Sequence, residues 1–286
     1  MESFTAATGI QFKGVETKHE AIKITGKVDF AGHPQLEHFK FLKAHTKVRP
    51  KMTIPAPSTF HFRQGRAMVS KEVYPGYDEF FADVGAACRK AIRAFYDAGC
   101  RYLQLDDTAW AMICDPKERE GSKSRGDDPD SLPAIYAQVT NEALKDKPAD
   151  MAITMHSCRG NFRSTFIASG GYDYVAEHLL AHTNLDGYFL EYDSDRAGGF
   201  EPLRYFPKDK VLVNGLITTK DPTLEDKDFI KRRLDQAAKY VPLERQAISP
   251  QCGFASTWHG NEITNDDQKR KLSLVREIAD EVWGNG

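Results

Sequence analysis

Long hydrophobic runs are missing from this 286-residue chain. No stretch approaches the roughly 18–20 apolar residues of a membrane span, and the first residues lack the basic-then-apolar pattern of an export signal. One-sided charge is missing as well. Lys and Arg total 39 against 41 Asp and Glu, a net charge of −2, so no broad field draws the chain to nucleic acid or an anionic membrane. Cysteine is sparse and odd in number, at five; without an export signal this argues against a disulfide framework. The expectation is a cytoplasmic protein whose partner is a small molecule, with neither nucleic acid nor membrane involved; oligomeric state is not legible.

Core strands alternating with amphipathic helices are present instead. Lys51-Met52-Thr53-Ile54-Pro55-Ala56-Pro57 reads as a strand stopped by prolines, which cannot donate to a ladder. Phe81, Val84, Cys88, Ile92 and Phe95 make an apolar stripe on a helix over 77–98, with Gly99 as its stop. Tyr102–Asp107 is the next strand. The charged stretch 115–131 is long enough to suggest a flap. Helices near 132–146 and 171–183 flank a strand ending at Cys158 and precede one ending near Asp193. Lys210–Ile217 is another core strand, and Thr223-x-x-Asp226 resembles a capping box opening a helix to about 240. Gln246–Ser249 is the sixth strand. Thr264 or Asn265 opens the last helix, with Leu272, Val275, Ile278 and Val282 on its buried face. The first 50 residues offer a doubtful strand over 23–30 and a helix through 36–43. Six alternating units predict parallel strands with helices outside, an α/β fold of the (β/α)8 barrel type short of its first one or two units, since a closed barrel needs eight.

Three cysteines have plain roles. Cys88 lies on the helix stripe, Cys100 at a helix-to-strand junction and Cys114 just past a strand, all as small buried hydrophobes. The other two fall elsewhere. In Met155-His156-Ser157-Cys158, alternation along a strand puts the imidazole and the thiol on one face, roughly 6–7 Å apart. Glu191 follows Cys158 by 33 positions and Cys252 follows Glu191 by 61. One βα unit takes roughly 30 residues, so each candidate sits at the end of its own strand. Parallel strands would bring all four together. One imidazole, one carboxylate and two thiolates suit Zn²⁺, with the competing reading that they are an ordinary core histidine and buried thiols. Zinc would lower the pKa of an incoming thiol. Alkyl transfer to that sulfur is the natural reaction.

His156-Ser157-Cys158, Glu191 and Cys252-Gly253 resemble the zinc ligands of the cobalamin-independent methionine synthase family, and Gln104-Leu105-Asp106-Asp107 resembles its Gln-x-Asp-Glu strand. The likeness spans about residues 23–284 and matches the short, single-barrel relatives of the catalytic C-terminal half. It implies one methionine-synthase-like barrel domain over 1–286, incomplete at its N-terminal side. It also implies a zinc-dependent methyltransferase for homocysteine or a similar thiol, with Asp106 binding the substrate amine. Departures accompany it. The family's Ile-Gly-Ser strand and the acidic strand end after it have no counterpart before residue 23. Its folate-contacting Arg-Cys pair and Trp are absent, with Glu20-Ala21 and Arg63 near those places. Its proton-donating His aligns with Lys220, a candidate acid if its pKa is lowered.

The departures keep other readings in view. The methyl donor could be a corrinoid or other donor protein rather than a folate, the acceptor a different thiol, or the chain a non-catalytic zinc-binding remnant. A further expectation is that the recorded start truncates a longer gene product. Six residues are read both ways. His178 and His182 form either a metal face or surface histidines, and His61 and Arg63 either line the pocket or do not. Asp107 is a supporting partner or a loop cap, and Arg196 binds a substrate carboxylate or pairs with its acidic neighbours.

Overall fold

A computed structural model describes residues 2–5, 12, 14, 20–63 and 65–284. Eight strands are found among them. β1 (Glu2–Thr5) and β2 (Glu20–Lys23) pair antiparallel. β3 (Met52–Pro55), β4 (Tyr102–Asp107), β5 (Ala152–Ser157), β6 (Gly187–Glu191), β7 (Val211–Ile217) and β8 (Gln246–Pro250) form one parallel sheet in chain order. These are the six core strands expected from the sequence. β3 and β8 are not hydrogen-bonded to each other, so closure into an eight-stranded barrel is not seen among the described residues. The doubtful strand over 23–30 is displaced to β2, and the stretch before residue 20, where family strands have no counterpart, lies mostly outside the described residues.

The principal helices are α1 (Gln35–Ala44), α2 (Tyr77–Asp97), α3 (Pro116–Ser124), α4 (Leu132–Leu144), α5 (Lys227–Ala238) and α6 (Asn265–Trp283). On α2 the expected stripe is buried, with Phe80 added. Each such aliphatic or aromatic side chain contributes roughly 1.5–3 kcal/mol. Gly85 brings this helix close to α4: a Cβ there would stand 2.7 Å from the Glu142 Cβ. Three expectations are corrected. The stretch 171–183 is not one helix but a 3-10 turn (Tyr172–Tyr174) and a π turn (Glu177–Ala181). The cap of α5 is Asp226, which accepts from the Phe229 N–H, rather than Thr223. On α6 Leu272 is 43% exposed, and Lys271 takes its place beside Leu274 and Ile278, sending its amine to the Thr223 carbonyl and Glu225. The capping box at Thr264 is present, closed by Asp267. Cys88, Cys100 and Cys114 are buried, as expected.

Strands covered on both sides normally read as continuous apolar runs. β4 departs from that along one face and at Asp107 on the other. Leu103 and Leu105 enter the core, whereas Tyr102 and Gln104 are half-buried and Asp106 is exposed. Polar residues aimed into an open sheet face at the carboxyl ends of strands mark where a ligand can sit.

The charged stretch 115–131 is tied down rather than free. It carries α3, capped by Asp115, whose other carboxylate oxygen accepts from the Ser169 N–H. At its far end Asp127 accepts from Tyr77, from the buried His61 at 3.1 Å and from the Arg66 N–H. His61 also meets Tyr136 at 3.0 Å. Those bonds take His61 into the core instead of the pocket. Asp127→Ala would leave an imidazole and a phenol buried without their shared acceptor, which costs about 1–3 kcal/mol. A lower urea midpoint and earlier tryptic cleavage at Lys117–Arg125 are expected; an unchanged digestion pattern would refute the anchoring.

Candidate metal centre

Register brings the site together. Asp106 on β4 stands opposite His156 on β5, and the Cys158 N–H continues the ladder to the Asp107 carbonyl at 3.0 Å. Past β8, the Gln251 N–H bonds the Ile217 carbonyl of β7 at 2.8 Å, which places Cys252 just beyond the ends of those two strands. The donor atoms of His156, Cys158 and Cys252 lie within 4.8 Å of one another, and the two sulfurs are 3.7 Å apart. Among the described residues no other group of three or more metal-ligating side chains is found.

Glu191 is not in that cluster. It is fully buried at the end of β6, and both its oxygens are engaged. Oε2 accepts from the Arg159 N–H at 3.1 Å; Oε1 accepts from Arg196 Nε at 3.0 Å and Nη2 at 2.5 Å. Arg196 also donates to Asp193 at 2.7 Å, so the arginine pairs with its acidic neighbours.

The other candidates are placed as follows. Lys220 donates to the Gly160 carbonyl at 3.0 Å and Asn161 Oδ1 at 2.7 Å. Burial lowers its pKa against the pull of Glu191 and the two cysteines. Burial raises the Asp106 carboxyl, with His156 opposing. Asp107 faces the other side of the sheet: it accepts from Ser58 and from the Trp110 N–H, capping the turn after β4, and burial pushes its pKa up to about 6. His178 and His182 bring their Nδ1 atoms to 3.3 Å on the exterior. Arg63 is exposed.

Several positioning residues escaped sequence reasoning. Asn161 donates to the Gly253 carbonyl and Ser256 while accepting from Lys220 and Asn261; it ties the loop after β5 to the loop after β8. Gln251 accepts from the Thr219 N–H and hydroxyl, fixing the Lys220 loop. Arg159 is fully buried, donating to the Gly170 and Glu191 carbonyls. An arginine directly after His-Ser-Cys in an apolar strand end was the available signal; the two amides carried none.

The donor set fits a metal. His156 is 9% exposed and its Nε2 has no hydrogen-bond partner, an arrangement that burial penalises and a cation would resolve. Two soft sulfurs with one imidazole suit zinc. Burial alone would lower the His156 pKa, yet Cys252, Asp106 and Glu191 hold it up at about 9. Cys158 and His156 pull the Cys252 thiol well below its usual range, while Cys252 and burial push Cys158 up.

A parallel sheet with sulfur and imidazole gathered at its strands' carboxyl ends defines an α/β protein with a face that could hold a metal. The model for the cobalamin-independent synthase catalytic domain matches residues 74–280, and the chain belongs to that family. Uncharacterized protein YxjH of Bacillus subtilis (strain 168) is 50% identical over 285 residues, 99% of this chain and 75% of its own length. A 5-methyltetrahydropteroyltriglutamate–homocysteine methyltransferase of Bacillus velezensis is 24% identical over 254 residues, 88% of this chain and 30% of its own. A solved Listeria monocytogenes structure, described as a candidate vitamin-B12-independent methionine synthase, superposes with a TM-score of 0.73 at 39% identity, covering 96% of this chain and 76% of that one. The TIM-barrel type of fold follows.

The opposed thiol shifts generate a test. In metal-stripped protein at pH 7, iodoacetamide should alkylate Cys252 at least about tenfold faster than Cys158, because the thiolate is the nucleophile. Cys88 and Cys114, whose pKa values burial raises to about 12, should stay protected. Peptide mass mapping reads the order; equal rates at Cys158 and Cys252 would contradict it.

Proposed function

We propose that the chain is a zinc-dependent S-methyltransferase that methylates the thiol of homocysteine or a related small thiol. The observation that carries this reading is the convergence of His156, Cys158 and Cys252 on one point at the strand ends. Membership of the synthase family supports the reaction class. No helix among the described residues is long and apolar enough to cross a membrane, in keeping with a small-molecule reaction.

Zinc held there would lower the pKa of a bound thiol and supply thiolate at neutral pH. The remaining work falls to the chain itself. Asp106, exposed on the sheet face next to His156, is placed to accept from the ammonium of an amino-acid thiol; ionised, it pairs that charge across a few ångströms. Lys220 sits among the two sulfurs and Glu191 with a lowered pKa. It can give a proton to a leaving methyl donor and be recharged from solvent. Asn161 and Gln251 keep its loop in position, since they hold the Lys220 amine and the Thr219 backbone respectively.

Purified protein should carry about one zinc per chain, and Cys252→Ser should lose both the metal and transfer activity by at least about a hundredfold, a ligand being worth more than its supporting partners. Thiol consumption is measured against a panel of methylfolate with a polyglutamate tail, methylcorrinoid and a small sulfonium donor. Zinc bound without transfer from any of them would overturn the enzyme reading in favour of a zinc-binding remnant.

A further inference from the structure

Away from the strand ends, two surface patches mix exposed apolar side chains with charge, and their charges are opposite. No acidic residue stands between Glu37 and Glu72, and Lys40, Lys43, Lys47 and Arg49 fall in the first part of that span. From Lys40 to Arg49, across the end of α1 and the segment after it, every residue but Thr46 is exposed. Phe41 is 67%, Leu42 41% and Val48 76% exposed. Lys40 pairs with Glu37, and Lys43 reaches the Ala98 carbonyl; the side chains of Lys47 and Arg49 have no partner among the described residues. The second patch follows β7. Asp221, Asp226 and Asp228 are exposed around Leu224 and Phe229, themselves 42% and 51% exposed. Glu225 and Lys227 are turned aside, to Lys271 and to Glu277 and Glu281, and Arg232 stands 3.8 Å from Asp226. Among the described residues no salt bridge joins one patch to the other. Single exposed apolar residues are ordinary on a protein surface, but groups of them rimmed by charge mark contact sites.

We propose that the two patches are the halves of one interface with a second copy of this chain. The end of α1 and the segment to Arg49 on one protomer receive the loop 221–226 and the first turn of α5 on the other, and a two-fold axis makes the contact twice. Charge complementarity selects this occupant: Lys47 and Arg49 meet Asp221 and Asp228, which attract across the interface and set its orientation. Between them Phe41, Leu42 and Val48 pack against Leu224 and Phe229, an apolar centre inside a charged rim. Pairing about a two-fold uses both patches on both copies, so the assembly closes at two. An anionic lipid surface is the other cover that suits a basic helix with exposed apolar residues. It would leave Leu224 and Phe229 bare and would repel the three aspartates. None of these residues belongs to the strand-end metal cluster, so the interface does not depend on the zinc reading.

The test is sedimentation of the full chain over a range of concentration and salt. Wild type should dimerise in the micromolar range or tighter, and added salt should weaken the dimer by screening its rim. Phe41→Ser, at a position exposed in the free chain, should weaken it by about tenfold or more. Two charge reversals, Lys47→Glu with Arg49→Glu and separately Asp221→Lys with Asp228→Lys, should each leave monomers, because both patches of a chain then carry one sign. An equimolar mixture of the two variants should pair again, to within about tenfold of wild type, since each reversed patch now faces its opposite on the other variant. If a reversal does not fold, as circular dichroism would show, Phe41→Ser and the salt series still decide. A wild-type chain that stays monomeric overturns the proposal, whether or not it binds vesicles containing phosphatidylserine. A dimer indifferent to both Phe41→Ser and salt overturns it too, as does a mixture of folded variants that fails to pair.

Discussion

Parallel register is the constraint on which the site depends. His156 and Cys252 are almost 100 residues apart in sequence, and nothing local brings them together. They meet because every core strand runs the same way and each ladder is extended past its last strand residue: Cys158 onto the Asp107 carbonyl and Gln251 onto the Ile217 carbonyl. Side chains alternate faces along a strand. A slip of one residue in β5 would therefore turn both His156 and Cys158 away from the pocket at once. The apolar outer faces of the strands, including Leu103, Leu105, Ile153 and Met155, are all buried, and they are what makes such a slip expensive. Hydrophobic burial on one face thus fixes the chemistry on the other.

The second determinant is how charge is balanced where water is scarce. Glu191, Arg159 and the His156 imidazole are buried within a few residues of one another in the fold, and isolated charges of that kind are not tolerated. The protein resolves this by pairing. Arg196 bridges Glu191 and Asp193, Arg159 spreads its bonds over backbone carbonyls and Tyr172, and Lys220 is held by Asn161 and Gly160. Among the buried atoms at these strand ends that no hydrogen bond satisfies is His156 Nε2. Two sulfurs and an imidazole gathered there are a soft donor set, which favours zinc over hard cations that seek oxygen.

The legible parts of this protein were those with a period or a strong chemical identity. The six strands could be read because buried parallel strands are short apolar runs bounded by Pro or Gly, and the α2 stripe because it repeats at helical spacing. His156, Cys158 and Cys252 stood out because thiols and imidazoles at strand ends are few. The rest failed for physical reasons. The stretch 171–183 has helical composition, but Tyr188 sends its hydroxyl to the Leu180 and Thr183 carbonyls, and such competition with backbone bonding does not show in a periodicity. The charged stretch 115–131 looked loose because its anchor is a single carboxylate, Asp127, reaching a histidine 66 positions earlier. Glu191 was placed correctly on its strand, yet its partner could not be read: Arg196 is long enough to reach a substrate or a neighbour, and only the fold decides which.

That last ambiguity shows where function is set in this architecture. The strands deliver donors to a common point, but the carboxyl-end loops determine which donors are free. Arg196 comes from the turn after β6, Asn161 from the loop after β5, and Lys220 from the loop after β7. Sheet positions therefore set which donors meet, while loop positions set the charge and hydrogen bonds around them. Relatives sharing the strand-end residues can differ in acceptor or donor through changes confined to these loops, because a salt bridge made or lost on Glu191 alters the charge at the centre without moving any strand.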